Sequence, residues 1–173
     1  MSADVHQLQA RLQQLERRGA AVIEVAACRH DLAFALQDSG RTAEAESQFV
    51  TAHSEFSQSV GPSHAFTVSC LLNLALVVWE RGRLAEAEQL LRQVVQFRVA
   101  AFGPAHPLSL NARGNLLDVQ AERGQTREAR TGYRDLLADT ERTFGRNSDL
   151  AVAVRTRLNQ LAPPRPAWWR RRA

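Results

Sequence analysis

The sequence predicts an all-α solenoid, three helical hairpins in a row with an extra helix at each end. The first observation behind this is a repeated phrase: Gly61-Pro62-Ser63-His64 returns 42 residues later as Gly103-Pro104-Ala105-His106. The second is a further glycine series, Gly40, Gly82 and Gly124, on the same step of 42, while Gly19 and Gly145 extend the first series one step each way. The third is the text after the second series: Arg41-Thr42-Ala43-Glu44-Ala45-Glu46, then Arg83-Leu84-Ala85-Glu86-Ala87-Glu88, then Gln125-Thr126-Arg127-Glu128-Ala129-Arg130. A fixed period of this size marks a solenoid, in which each unit buries its apolar face only against its neighbours.

Taken in order, the chain opens with Val5, Leu8, Leu12 and Leu15 spaced along one side of an amphipathic helix over 1–18, which Gly19 ends. Its apolar phase is displaced by about one position from the second helices of the repeats, so it reads as an N-terminal cap. Repeat one, 19–60, pairs a helix over 20–38, buried through Val22, Val25, Ala26, Leu32, Ala33 and Leu36, with a helix over 42–59, buried through Ala45, Phe49, Ala52 and Phe56. Gly40 separates them, because glycine just past a helix end takes the left-handed conformation that lets the last carbonyls find partners. Repeat two, 61–102, starts at the break made by Pro62. It buries Val68, Leu71, Leu74, Ala75 and Val78 from one helix and Ala87, Leu91, Val94 and Val95 from the next. Repeat three, 103–144, has Pro107 in a first turn, where its missing N–H costs nothing, and buries Ala129, Tyr133, Leu136 and Leu137 from its second helix. Ser148 then caps a final helix, 147–161, with Asp149 in its first turn. Pro163 and Pro164 forbid its continuation into the Pro/Trp/Arg tail, 162–173.

The pattern Leu-Ala-x-x-apolar-x-x-x-Gly-Arg-x-x-Glu-Ala resembles that of tetratricopeptide repeats. Leu74, Ala75, Val78, Gly82, Ala87 and Leu91 fill it in repeat two, and Leu32, Ala33, Leu36, Gly40, Ala45 and Phe49 in repeat one. Repeat three has Leu116, Leu117, Gln120, Gly124, Ala129 and Tyr133. The usual unit is about 34 residues; the longer step with Gly-Pro-x-His between units resembles the kinesin light-chain subtype. Leu117 and Gln120 depart from the small and large apolar residues of the pattern, which predicts looser packing in repeat three.

The resemblance covers 19–161 and implies a right-handed superhelix whose first helices line a concave groove for a partner's peptide segment. It implies binding by an adaptor, not an enzyme. Carried over by position, the groove residues are His30, Phe34 and Gln37; Leu72, Leu76 and Trp79; Asn111, Gly114, Asp118 and Ala121. Asn73 and Asn115 occupy the family's frequent asparagine, which bonds the peptide backbone, and Asp31 stands there in repeat one. The positions that clamp a carboxylate in chaperone-binding relatives hold His30 and Phe34, Leu72 and Leu76, Gly114 and Asp118, so that activity is not implied. Each reading has a plainer rival. The asparagines serve equally to bond a neighbouring helix, and Phe34, Leu76 and Trp79 to pack against the next repeat.

Charge and chemistry narrow the partners. All 22 basic residues are Arg, and those at 165, 170, 171 and 172 carry the whole net charge of +4. The neutral remainder excludes a basic nucleic-acid face. No apolar run is long enough for a transmembrane helix, and the first residues lack a signal peptide's charged start and apolar stretch, so the expected location is cytoplasmic. Cys28 and Cys70 lie 42 apart with Ala112 and Val154 in the same series, the company of buried thiols. The histidines show no ligand spacing, and neither phosphate loops nor nucleophile constellations occur, so no metal, cofactor or catalytic residue is expected. Two alternatives to a groove adaptor remain: a scaffold that forms homo-oligomers through its helical ends, and a peripheral membrane protein held by Trp168, Trp169, Arg170, Arg171 and Arg172.

Overall fold

In the computed structural model, residues 5–161 are described and form eight helices: α1 Val5–Arg17, α2 Val22–Asp38, α3 Thr42–Val60, α4 Ala65–Glu80, α5 Leu84–Phe102, α6 Pro107–Glu122, α7 Thr126–Phe144 and α8 Asp149–Gln160. The tail residues Trp168, Trp169, Arg170, Arg171 and Arg172 lie outside the described residues. Each helix packs on the next in sequence, giving an α-solenoid of helical hairpins.

Two kinds of glycine turn set the period. At Gly40, Gly82 and Gly124, φ is +77°, +77° and +85°. The glycine N–H bonds the carbonyl three residues back, and the next residue bonds the one five back, as in Arg83 to Val78 at 3.1 Å. These are Schellman caps, which satisfy carbonyls left over at the helix end. Between repeats the chain instead leaves α3 and α5 through Gly61 and Gly103 with ψ near 160° (158° and 164°). The histidine of Gly-Pro-x-His is then an N-cap: Nδ1 of His64 accepts from the Phe66 N–H at 3.3 Å, and that of His106 from Leu108 at 3.2 Å. Ser148 does the same for α8, its Oγ accepting from Ala151 N–H at 3.3 Å.

Gly19 shares the register of Gly61 but not its geometry. Its bonds, Gly19 to Glu16 and Ala20 to Leu15, form the tighter Schellman cap, and α1 ends at Arg17, one residue short of its equivalents. The consequence is visible in the core. Ala45, Phe49, Ala52 and Phe56 of α3 recur as Ala87, Leu91, Val94 and Arg98 in α5 and as Ala129, Tyr133, Leu136 and Thr140 in α7. α1 buries Leu8 and Leu15 one place later in that register, and Leu12 two places later than the equivalent of Ala52, against Cys28, Leu32, Ala35 and Leu36. The thiols report the same offset, with Cys28 Sγ at 3.8 Å from the Leu8 carbonyl and Cys70 Sγ at 3.5 Å from that of Phe49. Both thiols are buried, and burial pushes Cys70 up to about 12.

Two packing expectations need correction. Val22 is 51 % exposed, because it begins α2 before the helix reaches its neighbours. Repeat three is not loose at Leu117. Gly132 faces it, and a Cβ at Gly132 would overlap the Leu117 Cδ atoms. The large residue on α6 thus fills the room left on α7. Gln120 is also engaged, donating to Glu88 Oε1 at 3.0 Å in a buried carboxylate site that also holds Arg92 and Arg123.

Candidate functional site

Each first helix leaves one stripe uncovered. On α2 it runs through Ile23, Ala27, His30, Asp31, Phe34, Gln37 and Asp38; on α4 through Phe66, Ser69, Leu72, Asn73, Leu76, Trp79 and Glu80. On α6 it runs through Leu108, Asn111, Gly114, Asn115, Asp118, Ala121 and Glu122. Spacings of three and four keep such residues on one helical side. Hydrogen bonds join stripe to stripe: His30 to Asn73 at 3.0 Å, Gln37 to Glu80 at 3.1 Å and Trp79 Nε1 to Glu122 at 2.8 Å. Arg157 of α8 pairs with Asp118. The stripes therefore make one continuous face.

The groove candidates derived from the sequence all fall on this face, in different states of engagement. Phe34 is 41 % exposed and sets its ring edge-on to His30 and Phe49. Leu72 is half-buried and packs onto the core beneath. Leu76 is half-buried and belongs to no core cluster among the described residues. Trp79 is half-buried against the core with its N–H committed to Glu122, so it serves both face and interior. Asn73 is spent on His30, whereas the Asn115 side chain has no hydrogen-bond partner among the described residues. Asn111 Oδ1 meets Arg98 at the long distance of 3.5 Å. Two neighbouring repeats thus hold equivalent asparagines, one occupied and one free.

His30 sits at the lip of a cleft of about 240 Å³ lined by Ile23, Ala27, Asp31, Phe56, Phe66 and Ser69. Burial holds its imidazole below the ordinary value of 6.5, against the opposing pull of Asp31. The neutral ring accepts from the Asn73 amide through Nε2 while Nδ1 lies 3.8 Å from Asp31. One repeat further on, Arg98 occupies the position of Phe56, donates to the Leu108 carbonyl at 3.0 Å, and the matching cleft is about 70 Å³. The larger of the two clefts lies between repeats one and two.

Sequence reasoning missed Ile23, Phe66, Glu80, Glu122 and Arg157 as members of this face. Continuing the stripes by one or two helical steps would have found the first four, and one more period of 42 from Asn115 would have found Arg157. The acids matter most. The stripe positions carry Asp31, Asp38, Glu80, Asp118 and Glu122 against the single Arg157. Other arginines of the first helices point elsewhere: Arg29 binds Glu55 and Glu16, and Arg113 binds Asp139. Among the described residues no group of His, Cys, Asp and Glu is placed to hold a metal ion, and no helix is long and apolar enough to cross a membrane.

Residues 24–98 match the tetratricopeptide repeat family. No curated protein sequence matches the chain. Among solved structures, the nearly identical repeats of a Podosopora anserina protein assigned as a kinesin light chain superpose with a TM-score of 0.82 at 22% identity, covering 91% of this chain and 75% of that one. A variant of the same protein gives 0.83 at 21%, with 91% and 74% covered. BtubC (BKLC) from P. vanneervenii gives 0.72 at 17%, with 91% and 64% covered. Residues 24–98 thus match tetratricopeptide repeats, and the described chain has the fold of kinesin light-chain-like repeats.

Proposed function

We propose that the chain is a protein-binding adaptor that holds a segment of a partner across the face formed by α2, α4, α6 and α8, without catalysing a reaction. The observation that carries this reading is the combination on one face of apolar side chains not absorbed by the core, Phe34 and Leu76, with a free backbone-seeking amide at Asn115. An amide offers donor and acceptor to an extended chain at once, and exposed apolar groups supply the area that makes the contact stable. Repeat scaffolds generally serve as such surfaces.

Leu76→Asp and Asn115→Ala test the reading more cleanly than Trp79→Ala. Neither removes a core contact or a side-chain hydrogen bond among the described residues, whereas Trp79→Ala loses both. Captured from native lysate on the immobilised full chain, the partner is expected to be lost with Leu76→Asp and weakened with Asn115→Ala, while the melting temperature stays within a degree or two. Capture unchanged by both variants overturns groove binding. A self-associating scaffold would instead show a concentration-dependent mass in solution.

A further inference from the structure

The described body of the chain and its tail have complementary chemistry. On the first-helix face, Glu80 and Glu122 stand at equivalent positions of successive repeats, each accepting one hydrogen bond, from Gln37 and from Trp79. Both residues are exposed. A carboxylate has room for several donors, so each retains acceptor capacity toward solvent. Asp31 and Asp38 extend the negative field along α2. The tail supplies the opposite features in five residues: Trp168 and Trp169, then Arg170, Arg171 and Arg172.

We propose that Trp168 to Arg172 of this chain dock on its own first-helix face, the arginines against Glu80 and Glu122 and a tryptophan on the apolar surface around Leu76. This deepens the groove reading and rests on it. Arginine forks suit carboxylates, and tryptophan is a strong interface anchor. The reach is sufficient. α8 ends at Gln160, two first helices away from α4, which at about 10 Å per helix is roughly 20 Å. Seven extended residues from Leu161 to Trp168 span about 23 Å. A tail tethered this closely acts at an effective concentration on the order of millimolar, so even a weak contact competes with incoming ligands. Docking therefore makes the tail a built-in competitor that a partner must displace.

The test uses a labelled synthetic peptide with the sequence of residues 162–173 and two full-length chains, the natural one and R170E/R171E/R172E. Fluorescence anisotropy at low salt is expected to show the charge-reversed chain binding the peptide about tenfold or more tightly than the natural chain, whose own tail competes. Adding E80Q/E122Q to the charge-reversed chain is expected to weaken binding about fivefold. Glutamine still accepts from Gln37 and Trp79, so only charge is removed, and an unchanged melting curve confirms an intact fold. The mass in solution is expected to be that of a monomer. Equal binding by natural and charge-reversed chains, no binding by either, or indifference to E80Q/E122Q overturns the proposal. A dimer that tail reversal dissolves also overturns docking within one chain, as does tail-dependent sedimentation with phosphatidylserine vesicles in place of peptide binding. Partner capture that remains sensitive to Leu76→Asp while the peptide titration fails removes the tail from the groove and leaves the groove reading standing.

Discussion

Repeats two and three share a backbone and keep some of the residues that fill it, such as Val77 and Val119 or Ala87 and Ala129, but differ at several others. In repeat two, α4 buries Leu74, Ala75, Val77 and Val78 in an apolar core with Ala87 and Leu91. In repeat three, Leu117 stands for Ala75, Gln120 for Val78, Gly132 for Leu90, and Arg113 with Asp139 for Leu71 with Phe97. The exchanges come in compensating pairs. Volume gained on α6 at Leu117 is given up on α7 at Gly132. Arg113 and Asp139 form an ion pair at 2.8 Å at the register where Arg29 and Glu55 pair at 3.2 Å in repeat one. What the period preserves is the caps and the complementarity between two helices, not the identity of either residue.

The sharpest way to break this comparison is to disturb one side of a pair. Gly132→Ala forces a Cβ into Leu117 and is expected to cost about 2 kcal/mol, despite the fraction of a kcal/mol that alanine gains in a helix. Leu117→Ala leaves a cavity and costs about 2 to 3 kcal/mol alone. Combined, the two should cost at least about 1 kcal/mol less than their sum in urea unfolding, since residues in contact couple. Strict additivity would mean that the size exchange is coincidental.

The charge side of the comparison predicts a similar or smaller effect. Glu88 is 2 % exposed and gathers Gln120, Arg92 and Arg123, so Glu88→Ala should destabilise by about 2 kcal/mol, moderated because both arginines keep solvent contact. Glu46, its counterpart one repeat earlier, has a more accessible side chain facing Arg81 and Arg83, and Glu46→Ala should cost under about 1 kcal/mol. Equal losses at the two sites would remove the distinction drawn between a buried and a rim carboxylate.

What the repeats share can be broken too. Gly82 has φ +77° and open space where a Cβ would go, so its constraint is backbone conformation alone. Gly82→Val should cost about 1 kcal/mol or more with the helical circular dichroism retained. The smallest effect is in pH. Burial holds His30 and His53 below their ordinary value of 6.5 in the folded chain. Unfolded chains therefore bind more protons as pH falls below about 6.5, and stability declines there until the folded-state values are passed. His30→Gln, which can still accept from Asn73, should flatten part of that decline in melts between pH 7.5 and pH 5.

The period, the glycine turns and the helix ends were legible in the sequence because they are local: a cap needs only its own few residues. The size exchange at Leu117 was not, because its explanation sits fifteen positions away on another helix. The displaced phase of α1 was visible, but its cause, a tighter cap at Gly19, required the hydrogen bonds. On the first-helix face, register alone placed Phe34, Leu76, Asn115 and the other candidates on one side. It did not reveal that Asn73 is bound to His30 or that Trp79 is tied to Glu122, since these bonds run between repeats of unlike composition.

The proposed role of that face is tested most directly by amide hydrogen exchange of the full chain, free and saturated with a peptide enriched from a random peptide-display library. Groove binding predicts slowed exchange concentrated on α4 and α6, and loss of both slowing and affinity, by about thirtyfold or more, in Leu76→Asp. Protection confined to the second helices α3, α5 and α7, with Leu76→Asp binding as the natural chain does, would contradict it.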